Sequence, residues 1–255
     1  EWNGRYRDDM RRYLKGDAGT ARVAAERIVG SRDIYAAESR ENASVNFITC
    51  HDGFTLYDMY AYNEKHNDKN GWNNTDGAND NNSWNCGAEG ETDDPQINAL
   101  RRRMMRNAFA LLMCSRGIPM FLAGDEFCNT QFGNNNAYCQ DNITSWLDWR
   151  LLNKNRDMFR FFQHMIRFRK AHRVVRTCVS DGAYGLPDVS FHGVLPWQGR
   201  YEDYDRYVGV MFAGQDPENG PEAVYVASNA YWEELTVRLP DLPASMCWEL
   251  EGDTW

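Results

Sequence analysis

The chain has 255 residues, of which 42% are hydrophobic and 25% are charged, a balance typical of a soluble globular protein large enough to bury a core. Its formal net charge of −9 argues against a nucleic-acid backbone or an anionic membrane as a partner, because both attract a basic face. No apolar run approaches the ~20 residues that span a bilayer, and the opening "EWNGRYRDDM" has no apolar segment of the kind found in signal peptides.

The first predicted elements are a helix and a strand. The stretch "TARVAAERIV" has helical apolar periodicity and ends at Gly30. Residues 44–49 form a short β-rich run that stops at His51-Asp52-Gly53. The sequence therefore places an imidazole and a carboxylate side by side after the predicted strand. The glycine that follows them lets the backbone turn sharply.

A long polar loop follows over residues 63–94, crowded with Asn, Asp and Gly. Loops far longer than the usual connection of roughly 4–6 residues are mostly functional or disordered. Trp72 and Trp84 lie within it, and two interpretations stay open for them: rings that face a ligand, or rings packed in the ordinary way. The acidic residues of the loop do not follow the spacing of an EF-hand, so no calcium site is predicted.

Residues 95–116 carry the clearest helical signals. Asp94 can cap the helix, Pro95 suits its first position, and Gly117 can end it. A second amphipathic helix is predicted over residues 155–172, where large apolar side chains recur at helical spacing.

Between these two helices the strand pattern repeats. Residues 118–123 form an apolar strand of the buried type, which ends at Gly124 with Asp125 and Glu126, and a second polar loop covers residues 128–142. Neighbouring side chains in an extended chain point to opposite faces, so the two acids do not form a facing pair across a cleft. We expect one of them to face the site, and Glu126 to be structural and tied to backbone near the strand end.

Beyond about residue 178 the sequence changes to short apolar segments separated by Gly, Pro and Asn. The segments "RYVGVMF", "AVYVASN", "LTVRLP" and "CWELEG" predict an antiparallel β domain with one solvated face. We place the domain boundary between residues 176 and 177. The first part alternates strands and helices, as parallel α/β folds do, and functional residues of such folds collect where the strands end. The predicted fold class is α/β followed by all-β.

Seven cysteines, an odd number without any C-x-x-C pair, indicate reduced thiols in a cytoplasmic protein, not disulfides or a zinc site. The chain also lacks the P-loop, dinucleotide-binding, G-x-S-x-G and H-E-x-x-H motifs. We therefore expect no metal and no cofactor. For His51 and Asp52, spacing alone favours a satisfied histidine and a capping carboxylate, and the alternative is that both bond to sugar hydroxyls.

The motifs resemble those of a known family. "VNFITCHDGFTL" is similar to the His-Asp motif at the end of the seventh barrel strand in the α-amylase family of glycoside hydrolases, and "RGIPMFLAGDEF" is similar to the eighth strand. "EWNGRYRDDMRRYLKGD", "NNSWNCGAEG", "TQFGNNNAYCQDN", "LPDVSFHG" and "YVASNAYWEELTVRLP" resemble the isoamylase-type, glycogen-debranching branch of that family. The resemblance extends over essentially all 255 residues.

This resemblance implies the C-terminal part of a (β/α)8 TIM barrel over residues 1–176 and an antiparallel β-sandwich domain, itself truncated, over residues 177–255. It implies hydrolysis, with retention, of α-1,6 branch links in α-glucans such as glycogen and limit dextrin, with malto-oligosaccharides as further ligands. Asp52 matches the family's third acid, which stabilises the transition state by holding hydroxyls of the sugar in subsite −1. His51 matches the histidine that bonds to the same sugar.

Further substrate contacts are expected on the two polar loops. The tryptophans are candidates for stacking on sugar rings, and the residues after the eighth strand are candidates for the rim of subsites −1 and −2. These candidates are Trp72, Trp84, Gln131, Asn134, Asn135, Asn136, Tyr138 and Asp141.

Two groups that a retaining hydrolase requires are not matched in this chain. The nucleophile motif of the family, which resembles "GFRFD", is absent from this sequence. The acid/base Glu of the family lies before the motif that begins here at Glu1. We therefore expect the chain to be inactive alone, and to cover an open part-barrel edge by self-association. Two alternatives stay open: a non-catalytic α-glucan-binding module, and a relative of the plant starch isoamylases or glucan transferases.

Overall fold

The computed structural model of the chain describes residues 1–35, 43–243 and 246–255. Its helices are α1 (Gly4–Leu14), α2 (Ala21–Ile28), α3 (Leu56–Met59), α4 (Pro95–Met113), α5 (Arg150–Lys154) and α6 (Arg156–Ala171). Its strands are β1 (Val45–Phe47), β2 (Ile118–Met120), β3 (Gly182–Ala183), β4 (Leu186–Pro187), β5 (Val189–His192), β6 (Tyr207–Asp216) and β7 (Gly220–Asn229). None of the helices in these ranges has the length and apolar character required to span a bilayer.

Helix α4 forms where its capping residues predict it. The Asp94 side chain accepts hydrogen bonds from the backbone N–H groups of Gln96 and Ile97, which would otherwise lack partners at the helix start. The helix ends at Met113, three residues earlier than the sequence predicts, and Arg169 of α6 donates to the carbonyls of Met113 and Ser115 at this end.

Helices α4 and α6 pack through aromatic side chains. The rings of Phe109 and Phe162 stack with their centroids 3.5 Å apart and an interplanar angle of 14°, and Phe121 meets both rings edge-on. Burial of a side chain of this size stabilises a fold by about 1.5–3 kcal/mol. The helical periodicity predicted for residues 155–172 is thus confirmed, since the apolar stripe of α6 faces this contact.

Strands β1 and β2 pair in parallel, with Val45 opposite Ile118, as the alternation of strands and helices predicts. On the other edge of β1, Trp2 forms a parallel bridge with Val45, and the Asn3 N–H donates to the Val45 carbonyl at 3.0 Å. Each strand has three residues and is therefore shorter than predicted. Because parallel segments end at the same edge of a sheet, the turns that follow them lie on one side.

The C-terminal segments form one antiparallel sheet in the order β5-β6-β7 and a two-residue ladder between β3 and β4. The strands predicted from "RYVGVMF" and "AVYVASN" are confirmed as parts of β6 and β7. The strands predicted from "LTVRLP" and "CWELEG" are wrong, since neither segment forms a ladder. Among the described residues no second sheet covers the first, so the structure does not reproduce the predicted sandwich. Alternation of apolar and polar residues predicts which face of a strand is buried. A strand forms, however, only where a neighbouring segment offers free backbone groups for pairing.

The helical part and the β part share a hydrophobic core. Val208, Val210 and Phe212 of β6 are fully buried in the same cluster as the helices. Arg116 links the two parts as well, because its guanidinium binds both oxygens of Asp188 at 2.5 and 2.7 Å. The domain boundary between residues 176 and 177 stays a prediction. Residues 36–42 of the first proposed domain and residues 244–245 of the second lie outside the described ranges.

Candidate functional site

The candidate site begins at the turn that follows β1. Gly53 adopts a φ of +84°, a conformation that side chains disfavour, and its N–H donates to the carbonyl of Asn135 at 2.9 Å. This bond ties the turn to the loop that follows β2. The turn consequently presents His51 and Asp52 to solvent, with 75% and 61% of their side chains exposed.

Asp52 is an ionised carboxylate with free acceptor capacity. The Cys50 thiol donates to Asp52 Oδ1 at 2.9 Å, and this bond, with His51 and Arg7 nearby, lowers the pKa of Asp52. The structural alternative, in which Asp52 caps the next helix, is wrong, because the Thr55 hydroxyl caps α3 by accepting from the Asp58 N–H.

His51 lies between Asp52 and an exposed tryptophan that sequence reasoning missed. Its Nδ1 is 3.7 Å from Asp52 Oδ1, and its ring meets the Trp2 ring edge-on at 5.6 Å. Trp2 is 53% exposed, so its face is open for stacking. The only signal for it in the sequence is that Trp2 precedes the capping residue of α1, and proximity to β1 appears only in the fold.

Arg11 supports the same turn from beneath. Its buried guanidinium donates to the Ile48 carbonyl at 2.5 and 2.9 Å and to the Asn81 carbonyl at 3.0 Å. Burial lowers the pKa of Arg11 to about 10, so the group stays cationic at neutral pH. Sequence reasoning missed Arg11, although its spacing of four from Arg7 places the two side chains on one helix face.

A cavity of about 140 Å³ lies beside Asp52, between α1 and the two polar loops. Its lining is polar, which suits a hydroxyl-rich ligand more than an apolar one. The lining residues are Arg7, Asp8, Arg11, Asp52, Gly53, Gly77, Ala78, Asp80, Asn81, Asn135 and Asn136. A larger depression of about 510 Å³ covers the hairpin 181–187, but it is an open surface over a single hairpin, so we do not assign a site there.

The two other carboxylates of the cavity have internal partners. Asp8 binds the Arg7 guanidinium through both oxygens at 2.7 and 3.1 Å. Asp80 accepts from the Asn82 N–H at 2.9 Å and shapes its own loop. Of the three carboxylates that line the cavity, Asp52 is the most available for a ligand.

The two polar loops are joined by their own amide side chains. The Asn67 side chain donates to Asn135 Oδ1 at 2.8 Å, and the Asn135 N–H donates back to Asn67 Oδ1 at 3.0 Å. Asn134 donates to Asn70 Oδ1 at 2.8 Å. Asn134 and Asn135 are both buried, and their amides hold the loops together, because a polar loop packs only when its buried groups find partners. Asn135 also lines the cavity and Asn134 does not, so a sugar contact stays a prediction for Asn135.

The other candidates after β2 differ in their surroundings. Asn136 lines the cavity, with its amide bound to Asp76 at 2.8 Å. Gln131 is half-buried, and its N–H donates to Asp58. Tyr138 is 72% exposed, and Asp141 accepts from the Trp146 indole at 3.1 Å. Of these four residues, the structure brings Asn136 to Asp52.

The two tryptophans of the first loop have separate roles. Trp84 packs partly buried against the main core, so the expectation of sugar stacking is corrected to ordinary packing. Trp72 is 58% exposed and stays a candidate for stacking.

Asp125 and Glu126 both bind within the protein, so the expectation that one of them faces the site is wrong. Asp125 is buried and accepts from the Thr49 hydroxyl and from the Leu56 N–H at 2.9 Å. Glu126 accepts from the Gly124 N–H at 2.8 Å, as predicted for a residue tied to backbone near the strand end. Burial raises the pKa of Asp125 to about 7.

The buried carboxyl groups of Asp58 and Asp125 predict that the stability of the fold decreases as pH rises toward neutrality. Burial raises the pKa of Asp125 to about 7 and that of Asp58 to about 6, whereas an unfolded Asp titrates near about 3.9. Between these values the folded chain binds more protons than the unfolded chain, so the free energy of unfolding decreases as pH rises through this window. His192 acts oppositely, because burial lowers its pKa to about 4.

Comparison with Asp125→Asn isolates the contribution of Asp125 to this pH dependence of stability. The amide keeps an acceptor for the Leu56 N–H but does not titrate. We expect urea unfolding to show a smaller loss of stability between about pH 5 and pH 8 in this variant than in the native chain. An equal loss in both proteins would contradict the assignment.

The chain matches no protein-family model, but it matches individual proteins. It is 54% identical to the glycogen operon protein GlgX homolog of Mycobacterium tuberculosis over 177 residues, which are 69% of this chain and 24% of that protein. It is 42% identical to the chloroplastic isoamylase 3 of Oryza sativa subsp. japonica over 256 residues, which cover 100% of this chain and 32% of that protein. The chain thus spans between 24% and 32% of the length of these relatives.

Solved structures share the fold. The pullulanase from Bacillus acidopullulyticus superimposes with a TM-score of 0.65 at 19% identity, over 94% of this chain and 26% of that one. A pullulanase mutant from Paenibacillus barengoltzii, complexed with maltotetraose, also has a TM-score of 0.65, at 23% identity, over 97% of this chain and 34% of that one. The sequence relatives and the shared fold confirm the resemblance of the motifs, and the chain belongs to the isoamylase-type, glycogen-debranching branch of the α-amylase family.

Proposed function

We propose that this chain holds an α-glucan next to Asp52, as part of a glycoside hydrolase that cleaves α-1,6 branch links in glycogen and limit dextrin with retention. The observation that carries the proposal is an exposed, ionised carboxylate at the end of β1, beside a polar cavity and two exposed rings. A carboxylate accepts hydrogen bonds from two neighbouring sugar hydroxyls, and an imidazole can bond to a third. His51 and Trp2 lie next to this carboxylate, outside the lining of the cavity.

The names of the relatives support the class of substrate. GlgX homologs and isoamylases are the sequence relatives, and a pullulanase with maltotetraose is among the structures that share the fold. The proposed partners are therefore glycogen, limit dextrin and malto-oligosaccharides. The proposed location is the cytoplasm.

We propose that the 255-residue chain binds glucan without cleaving it. Retaining hydrolysis needs a nucleophile and a proton donor on opposite sides of the bond. Asp8 binds Arg7 through both of its oxygens and is not free for these roles, and Asp80 accepts from the Asn82 N–H of its own loop through one oxygen. Among the described residues, the carboxyl groups with raised pKa values are Asp58 and Asp125, which are buried and do not line the cavity.

Replacement of Asp52 by asparagine tests the sugar contact. A hydrogen bond to a charged group contributes about 1.5–3 kcal/mol, so we expect maltotetraose affinity, measured by calorimetry, to fall roughly tenfold or more in Asp52→Asn. Asp68→Asn is the matched control, because Asp68 is exposed on the first polar loop and does not line the cavity. Equal affinity in both variants would contradict the proposed contact.

The same proteins test the absence of turnover. We expect no release of reducing sugar from glycogen by the native chain. Release that Asp52→Asn abolishes would show that the chain carries its own nucleophile and acid.

The alternative of a non-catalytic α-glucan-binding module has its own support in exposed rings. Trp72 and Tyr138 are 58% and 72% exposed on the two polar loops. A binding module would lose amylopectin in a pull-down when Trp72→Ala and Tyr138→Ala are combined, and would keep it in Asp52→Asn. The hydrolase site predicts the larger loss in Asp52→Asn.

Self-association through the edge of β2 is also proposed. Ile118 is 48% exposed on this edge strand, which pairs with β1 on one side. We expect the native chain to form dimers or larger species in sedimentation velocity at micromolar concentration, and Ile118→Lys to shift it toward monomer. A native chain that sediments as a monomer at every concentration would contradict the proposal.

A further inference from the structure

Three consecutive side chains in the turn that follows β1 bring together a thiol, an imidazole and a carboxylate. One ligand atom from each of Cys50, His51 and Asp52 lies within 4.8 Å of the others. Cys50 Sγ is 2.9 Å from Asp52 Oδ1, and His51 Nδ1 is 3.7 Å from the same oxygen. The thiol is buried, whereas the other two groups face solvent, so the cluster is open on one side.

We propose that Cys50, His51 and Asp52 bind one soft divalent cation, such as Zn²⁺ or Cd²⁺, through the thiolate sulfur, an imidazole nitrogen and a carboxylate oxygen. This site differs from what the cysteine spacing predicts, because C-x-x-C pairs identify structural zinc sites and overlook a mixed set of three ligands. Three protein ligands leave a fourth tetrahedral position for water.

The distances fit a metal of this size. Bond lengths of about 2.3 Å to sulfur and about 2.0–2.2 Å to nitrogen or oxygen place tetrahedral ligand atoms about 3.3–3.7 Å apart. The 2.9 Å contact between Cys50 Sγ and Asp52 Oδ1 therefore has to open by roughly 0.6–0.8 Å, and the His51 ring has to approach. His51 is exposed and free of a buried partner, so its ring can turn toward the cation.

The charges and protons of the binding step balance. The proton that the Cys50 thiol donates to Asp52 leaves to solvent, and the cation takes its place between sulfur and oxygen. The thiolate and the carboxylate then neutralise the two positive charges of the metal, while the imidazole stays neutral. The nearby cations have other partners: Arg7 is paired with Asp8, and Arg11 binds backbone carbonyls.

The ligand set selects the type of metal. Thiolate and imidazole are soft or borderline ligands that favour Zn²⁺ and Cd²⁺, whereas Ca²⁺ and Mg²⁺ require six or more oxygens. Alanine or serine at position 50 would leave one imidazole and one carboxylate. The buried thiol is thus the group that distinguishes this turn from an ordinary His-Asp pair.

Cadmium binding tests the site directly. The background protein carries Cys139→Ser, Cys178→Ser and Cys247→Ser, because these three cysteines are exposed and would bind cadmium by themselves. In this background we expect one Cd²⁺ per chain, an ultraviolet charge-transfer band from thiolate to cadmium, and release of one proton per metal. Cys50→Ser should remove the band.

Two further variants separate a three-ligand site from a lone thiol. We expect His51→Ala and Asp52→Asn each to weaken Cd²⁺ binding by about tenfold or more, since changes even in outer groups cost 10–100-fold. Both residues are exposed, so these variants test the site even if Cys50→Ser does not fold. A band that survives Cys50→Ser, or an affinity unchanged in both other variants, would overturn the proposal.

A functional consequence rests on the proposed function, because the same carboxylate would hold both metal and sugar. We expect Cd²⁺ at saturating concentration to weaken maltotetraose binding by roughly the same factor as Asp52→Asn. If Cd²⁺ binds as described but leaves maltotetraose affinity unchanged, the metal site stands and the sugar contact of Asp52 fails. If Cd²⁺ does not bind but Asp52→Asn weakens maltotetraose binding, the sugar contact of Asp52 stands and the metal site fails.

Discussion

Replacement of Arg169 by methionine is expected to lower the free energy of unfolding by about 4 kcal/mol. The buried guanidinium donates to the carbonyls of Met113, Ser115 and Gly117, at distances of 2.5–2.8 Å, and more weakly to Val175. These carbonyls belong to the last residue of α4 and to the segment after it, where the helix itself offers no donors. Methionine preserves much of the packing volume but leaves the carbonyls buried without partners, and each costs about 1–3 kcal/mol.

Arg167→Met is the matched control, because Arg167 lies on the exposed face of the same helix. Its effect should stay within about 0.5 kcal/mol. Urea unfolding followed by circular dichroism measures both variants. If Arg169→Met does not fold, Arg169→Lys provides an intermediate case, since an ammonium can serve some of the carbonyls but lacks the planar fork of the guanidinium. Equal stabilities for the variants at positions 167 and 169 would contradict the capping role.

Replacement of Gly77 by alanine is expected to loosen the contact between the two polar loops and to weaken glucan binding. A Cβ at this position would lie 2.2 Å from Asn135 Oδ1 and 2.9 Å from Asn67 Nδ2, so the bond between these amides would break. Asn135 also accepts from the Gly53 N–H, which fixes the turn that presents Asp52. We expect a loss of about 2–4 kcal/mol of stability, from broken hydrogen bonds and strain at a φ of +72°.

Gly71→Ala separates the strain from the clash. Gly71 lies on the same loop with a φ of +83°, and an added Cβ would meet nothing within 4 Å. Its cost should therefore be limited to about 1–2 kcal/mol of conformational strain. Amide hydrogen exchange over residues 63–94 and calorimetry with maltotetraose measure the two effects. A loop that exchanges equally fast in both variants would show that the amide pair does not hold the loops.

Some features of this chain follow from local sequence because their causes are local. Asp94 and Pro95 predict the start of α4, since capping involves residues within one helical turn. The parallel pairing of β1 and β2 follows from apolar runs separated by a helix. The family also follows from long ordered motifs, and the relatives confirm it.

Other features depend on partners far away in the chain. The period-two pattern of "LTVRL" predicts a strand, yet no neighbouring edge pairs with it. The resemblance predicts sugar contacts for the amides of the second loop, and only the fold shows that Asn134 and Asn135 also bind the first loop. In the sequence, Arg11 is typical of an exposed charged residue on a helix. The fold instead buries its guanidinium beneath the turn that follows β1.

The sequence by itself determined the family, the long helices and the placement of His51 and Asp52 at a strand end. Only the tertiary structure decided which polar groups face the cavity, because a hydrogen bond between distant segments leaves no periodic signal. It also decided that Asp125 is buried among loop donors while Asp52 remains open to solvent. Burial sets the charge state of each carboxyl group, and burial is a property of the whole fold.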